Sequence, residues 1–109
     1  MKPTAEKLEA LKSAHGKIFT LDVDDGEHQV VCKRPTAGEY KRLQKRLMDE
    51  EADKPAALAD FARACIVFPE GRELHSLLDE YPGVADKVSA DCVKLARGEA
   101  TKHAKKYES

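Results

Sequence analysis

The stretch KIFTLDVDDGEHQVVCKRPTAGEYKRLQKRLM, residues 17–48, decides the fold: a β-hairpin that runs directly into a capped amphipathic helix. Asp25-Gly26 signals the turn, because this pair accepts the two positive-φ positions of a type I′ loop, whose twist suits the flanking strands. With those residues as the loop, Asp24 faces Glu27, Val23 faces His28, Leu21 faces Val30 and Phe19 faces Cys32. Strand alternation then places Phe19, Leu21, Val23, Val30 and Cys32 on one side, with His28 at the rim. Ile18, Thr20, Asp22, Gln29, Val31 and Lys33 make up the other, far more polar side.

Pro35 ends the second strand, and Thr36-Ala37-Gly38-Glu39 forms a capping box in which hydroxyl and carboxylate satisfy each other's free amides. At about 100° per residue, Ala37, Tyr40, Leu43, Leu47 and Met48 line one stripe of the helix. Lys41, Arg42, Lys45 and Arg46 fall opposite.

Upstream, residues 4–14 read as a short helix closed by Gly16, with Leu8 and Leu11 as its only large apolar residues. A helix of fewer than about 12–15 residues needs tertiary packing to persist, so this one is expected to fray, dock lightly or act as an arm. Downstream, Pro55 suits a first helical turn, and residues 55–68 form the most apolar segment, the expected central helix. There Leu58, Phe61, Ala62, Cys65, Ile66 and Phe68 cover a wide arc. After the Pro69-Glu70-Gly71 break, Leu74, Leu77, Leu78 and Tyr81 mark a helix over 72–81. Val84, Ala85, Val88, Cys92 and Leu95 mark another over 84–97, which Gly98 terminates. The polar tail 99–109 reads as a brief extension of that helix or as disorder. The expected fold is therefore α+β: a hairpin (about 17–33) packed on helices 36–50, 55–68, 72–81 and 84–97. Residues 1–16 read as a helical arm, 17–98 as a single domain and 99–109 as a tail.

A chain of 109 residues can bury one modest core, and with 36% charged residues and no Trp that core should be Leu, Val and Ala. The balance of 19 basic against 20 acidic residues argues against a general nucleic-acid binder. Three widely spaced cysteines without a C-x-x-C pair do not make a disulfide framework and suit a reducing compartment. No apolar run approaches the roughly 18 residues of a membrane span, and the first sixteen residues lack the apolar core of a signal peptide. A soluble, cytoplasmic protein is expected.

No chemical site emerges from the residue pattern. Cys32, Cys65 and Cys92 lie on expected apolar faces, and the four histidines are scattered, so the short internal spacings of a zinc site are missing. The serines lie in no nucleophile-elbow context, and no Gly-rich phosphate loop occurs. Asp22, Asp24 and Asp25 lack the twelve-residue ligand pattern of a calcium loop and read as a solvated turn. The expectation is a non-enzymatic protein with no catalytic residue, no metal and no cofactor. Lys41, Arg42, Lys45 and Arg46 remain as the candidate partner-binding strip. It reads as a solvated face offset by Asp49, Glu50 and Glu51, as a surface for an acidic protein, or as a phosphate contact.

The order of features carries a resemblance. The hairpin leads into Lys33-Arg34-Pro35-Thr36-Ala37-Gly38-Glu39, a helix start of Lys/Arg-Pro-Thr-x-x-Glu form. An apolar-Pro break follows at Cys65-Ile66-Val67-Phe68-Pro69, and the leucine-rich run from Leu74 to Gly83 leads into the last helix. Over residues 17–98 this layout resembles the tail assembly chaperones of long-tailed bacteriophages and prophages. The resemblance implies a non-enzymatic helper in the host bacterial cytoplasm. It would bind the tape-measure protein, present it to tail-tube subunits and leave before the virion tail is complete. Self-association is a further expectation, since an isolated two-stranded hairpin exposes both edges. The alternative reading is a small adaptor or regulatory module with another protein partner. A nucleic-acid-binding module would rest on the basic strip alone.

Overall fold

The structure, a computed structural model, describes residues 1–108; Ser109, the end of the expected tail, lies outside the described residues. Its element order is α1 (Ala5–His15), β1 (Ile18–Val23), β2 (His28–Lys33), α2 (Ala37–Met48), α3 (Lys54–Cys65), β3 (Ile66–Phe68), α4 (Gly71–Glu80), α5 (Gly83–Ala96) and β4 (Lys105–Lys106). The four strands form one antiparallel sheet in the order β3-β2-β1-β4. The α+β expectation holds.

The hairpin has the register read from the sequence: Val23 faces His28, Leu21 faces Val30 and Phe19 faces Cys32. Asp25 and Gly26 take φ values of 54° and 89°, as a type I′ turn requires, and the Glu27 amide closes on the Asp24 carbonyl at 3.0 Å. Asp24 is also left-handed, at φ 56°. Short Asp side chains tolerate that region better than most residues, and here the carboxylate is held by the Tyr81 hydroxyl at 2.9 Å.

Phe19, Leu21, Val23, Val30 and Cys32 face α2–α5 in the main core, as the alternation required. The opposite face is covered too. Ile18 and Val31 are buried there beneath Leu11 of α1, together with Val67 and the partly buried Leu8, Phe68 and Tyr107. The amphipathic stripe of α1 is thin, but it suffices because the polar face of the sheet carries two apolar residues for it to cover. Thr4 caps α1 through its hydroxyl, and Gly16 closes it at φ 79°.

Three expectations are corrected by tertiary context. The helix expected over 55–68 stops at Cys65, and Ile66–Phe68 becomes the strand beside β2. Two β-branched residues and an aromatic before a proline favour extended backbone, and a free strand edge lies within reach to pair them. A bulge in that pairing leaves Ile66 in the main core and Val67 and Phe68 on the α1 side. Residues 99–108 are also part of the fold, because they turn back and lay β4 against β1. Each hairpin edge is therefore covered over part of its length, β1 at Phe19 and Thr20 by β4 and β2 at Val31 and Cys32 by β3. Finally, the stripe of α2 is narrower than expected: Leu43 is buried and Tyr40 and Leu47 are partly so, while Ala37 is exposed and Met48 stands 83% exposed.

The capping box of α2 is present in full, with the Glu39 amide donating to Thr36 Oγ1 at 3.1 Å and the Thr36 amide to Glu39 Oε1 at 2.8 Å. Lys33 Nζ reaches the same carboxylate at 2.7 Å, tying β2 to α2 across Pro35. Partial burial works against the Glu39 charge, but the Lys33 ammonium and the Thr36 amide outweigh it and hold the carboxyl below its ordinary 4.5. A depressed carboxyl contributes stability that is complete above its unfolded value and lost as pH falls through the folded one. Urea unfolding of wild type and Glu39→Gln should therefore differ by a constant amount down to about pH 5 and converge below about pH 4.5. Glutamine retains the capping geometry, so the convergence reports the charge. A gap that widens in acid would contradict the arrangement.

Candidate partner-binding surface

The four cations expected to form one strip are divided between two sides of α2. Arg42 and Arg46 turn toward α3 and line a narrow crevice with Leu43, Ala57, Asp60 and Phe61. Arg46 donates to Asp60 Oδ2 at 2.8 Å, an exposed pair of the kind that adds little stability. Lys41 lies on the other side, at the edge of a groove between α2 and α5, and Lys45 is exposed. A continuous basic track for phosphates is thus broken by Asp60 on one side and by the Lys33–Glu39 pair at the start of the helix.

Two open grooves flank α5. The α2/α5 groove, about 400 Å³, has a floor that includes Pro35, Tyr40 and Leu95 and carries Arg34 and Lys41 at its edge. The α3/α5 groove, about 370 Å³, is floored by Leu58, Ala90 and Val93 and rimmed by Asp86, Lys94, Arg97 and Glu99. Arg97 stands between the two, its guanidinium against the Tyr40 hydroxyl, a contact that raises the Arg97 pKa further. α3 and α5 pack against each other, and both bring small or medium residues to the core, Ala57, Ala62 and Cys65 from α3 and Val88 and Cys92 from α5. The larger residues Leu58, Tyr40 and Val93 are half-buried along the grooves.

Two clusters of chemically capable side chains are accounted for structurally. At the hairpin tip, Asp24, Glu27 and His28 each place one donor atom within 4.8 Å of the others. Asp24 is engaged by Tyr81, whose phenol its carboxylate pushes up to about 12, and the His28 and Tyr81 rings meet at 5.6 Å. The Met1 amino group approaches His28 Nδ1 at 2.6 Å and donates to the Glu27 carbonyl at 3.1 Å. The turn thereby docks on α4 and on the first residue.

The second cluster is the cysteines. All three are free and buried, and Cys92 stands between the other two, in contact with Cys32 and with Cys65. Hydrogen bonding to Cys92 and burial together push the Cys65 thiol far up, and the Cys32 contact and burial do the same to Cys92 despite an opposing Cys65 contact. The reactive form of cysteine is the thiolate, which is disfavoured at Cys65 and Cys92, and burial shields all three thiols from reagents. An aromatic disulfide reagent should leave all three untouched in the folded protein and titrate three thiols after unfolding. Stoichiometric reaction within minutes under native conditions would refute this placement.

One residue that organises the molecule was not legible as such. Asp91, only 2% exposed, points from α5 into the turn before β4. Its carboxylate accepts from the amides of Lys102 and His103 at 3.0 Å each and of Ala104 at 2.6 Å. A signal was available: Asp91 lies seven residues beyond Val84 and three beyond Val88, on the apolar stripe of α5. An acid on a buried stripe requires partners, and a polar tail follows nearby to supply them.

Residues 11–105 match the family described as "Domain of unknown function (DUF6848)". The chain belongs to that family. The matched span takes in the hairpin, all of α2–α5 and the Asp91-bound turn up to the start of β4. No curated protein matches the chain. Among solved structures it is similar to the uncharacterised protein rbstp2171 from Bacillus stearothermophilus, with a TM-score of 0.68 and 20% identity over 87% of this chain and 96% of that one. At that identity the likeness is one of fold. Among the described residues, no helix is long and apolar enough to cross a membrane.

Proposed function

We propose that this DUF6848 protein is a non-enzymatic tail assembly chaperone of a long-tailed phage or prophage, acting in the host bacterial cytoplasm. Its client is an amphipathic helical segment of the tape-measure protein, which it holds for delivery to tail-tube subunits. The α3/α5 groove is the observation that carries this reading. Its apolar floor of Leu58, Ala90 and Val93 is the size of a few side chains, and its rim carries two acids, Asp86 and Glu99, and two bases, Lys94 and Arg97. Helix-in-groove recognition uses that combination: apolar anchors at i, i+3 and i+4 set on the floor, with charges at the rim. A shallow, charged-rimmed site suits a helper that must release its client. The layout from the hairpin through the Pro35-Thr36 helix start to the Pro69 break supports the same reading by resemblance.

Co-expression of the tagged protein with tape-measure fragments and tube protein from the same gene cluster tests it. A tape-measure fragment should co-purify with wild type and be lost with Val93→Glu, a half-buried position on the groove floor. Failure of the folded wild type to retain either protein would exclude the chaperone and leave the adaptor reading, in which the same groove takes an unrelated helix.

A further inference from the structure

We propose that the groove between α2 and α5 is a docking site for an acidic segment of a partner protein. Such a segment would set a leucine or aromatic side chain on the groove floor and carboxylates against the edge. The floor is apolar, with Pro35 and Leu95 buried and Tyr40 half-buried. The charged residues that line the groove are Arg34 and Lys41, both exposed, and no acid lines it. Among the described residues neither cation takes part in an ion pair, whereas nearby Lys33 is engaged by Glu39 and Arg46 by Asp60. Arg97 adds a third positive charge through its contact with the Tyr40 hydroxyl. The acids closest in sequence face elsewhere: Glu39 lines the α2/α3 crevice and Glu99 the α3/α5 groove.

The backbone adds to the same sign. Thr36 and Ala37, in the first turn of α2, line the groove and bring the positive end of that helix to it. The opposing end of α5 is compensated, since the Val93, Lys94 and Leu95 carbonyls accept from the amides of Arg97, Glu99 and Gly98. The groove is therefore cationic, while the rim of the α3/α5 groove balances two acids against two bases. The two grooves share no lining residue, so this docking does not depend on the client reading. Charge complementarity of this kind selects an anionic occupant. Two cations are too few for a phosphate track, and the chain as a whole carries a net charge of −1, which disfavours nucleic acid. An acidic protein segment supplies both things the groove lacks, an apolar side chain for the floor and carboxylates for Arg34 and Lys41.

Fluorescence anisotropy of the full chain tests this with a fluorescein-labelled peptide, Glu-Glu-Leu-Phe-Glu-Glu. Its basic counterpart Lys-Lys-Leu-Phe-Lys-Lys and a labelled oligothymidylate serve as competing occupants. The acidic peptide should bind saturably and more weakly as salt is raised, and the basic peptide should not bind. Arg34→Glu/Lys41→Glu should lower the affinity by at least about tenfold. Both positions are exposed and acids suit the start of a helix, so this variant should fold, which circular dichroism checks. Val93→Glu, in the other groove, should bind the peptide as wild type does. Amide shifts on titration should centre on Tyr40, Lys41, Leu95 and Gly98. No binding of the acidic peptide, equal binding of the basic one, or undiminished binding to the double variant overturns the proposal. So does loss of binding in folded Val93→Glu, which would move the site to the α3/α5 groove. Tighter binding of the oligothymidylate overturns it in favour of phosphate. Concentration-dependent shifts of the same amides without peptide overturn it in favour of a second copy of the chain.

Discussion

Phe61→Ala is expected to lower the stability of the domain by about 3–5 kcal/mol, the range for deleting a large aromatic from a packed core. Phe61 is 4% exposed on α3, the helix that packs against both α2 and α5 beneath the sheet. Its ring lies 6.4 Å from that of Tyr40, tilted by 56°, within the range of favourable aromatic pairs. Truncation loses that pair and leaves a void beside Leu43 and Ala57, which line the same crevice as Phe61. In a domain of this size each kcal/mol corresponds to about 4–8 °C, so the melting temperature should fall by at least about 12 °C. Leu21→Ala, in the buried centre of β1, should cost about 2–5 kcal/mol by the same mechanism. A thermal shift below about 2 °C for either variant would mean that the core lies elsewhere.

The second large effect is expected at Asp91. Each hydrogen bond to a charged acceptor contributes roughly 1.5–3 kcal/mol, and burial of the carboxylate is offset only because three amides converge on it. Asp91→Ala removes the acceptor and strands the amides of Lys102, His103 and Ala104, so a loss of about 3 kcal/mol is expected after local relaxation. The damage should be localised. β4 is two residues long, and beyond the Asp91 bonds its segment is held by burial of Ala104, by the Tyr107 amide on the Ile18 carbonyl and by the Tyr107 hydroxyl on Glu9. Amide exchange at residues 102–106 should accelerate well beyond that of α3, and limited proteolysis should cut first in this segment. Asp91→Asn is expected to behave nearly as badly, since its NH₂ group would point at a backbone amide. Unchanged exchange in the C-terminal segment of Asp91→Ala would show that the carboxylate is not its anchor.

The legible parts of the molecule are those specified by neighbours in sequence. Hairpin register follows from Asp25-Gly26 and from two-residue alternation, and the start of α2 from Thr36 and Glu39, interactions that span only a few residues. The three cysteines could be assigned to the core for the same reason, because helical and strand periodicity already placed them on apolar faces. The partner surface was less legible. Periodicity grouped Lys41, Arg42, Lys45 and Arg46, but it could not reveal that α3 brings Asp60 to Arg46 or that α5 completes a groove beside Lys41.

Sequence alone determined the α+β class, the hairpin register, the capped helix and most of the buried face of the sheet. Tertiary structure decided the conversion of Ile66–Phe68 from helix to strand, the covering of the polar sheet face by α1, the return of the tail as β4 and the division of the basic strip. In each case the reason is the same. Local propensity is worth tenths of a kcal/mol per residue, whereas a vacant strand edge, an uncovered Ile18–Val31 pair or a buried carboxylate is worth whole ones. Energies of that size arise only once distant segments of the chain meet.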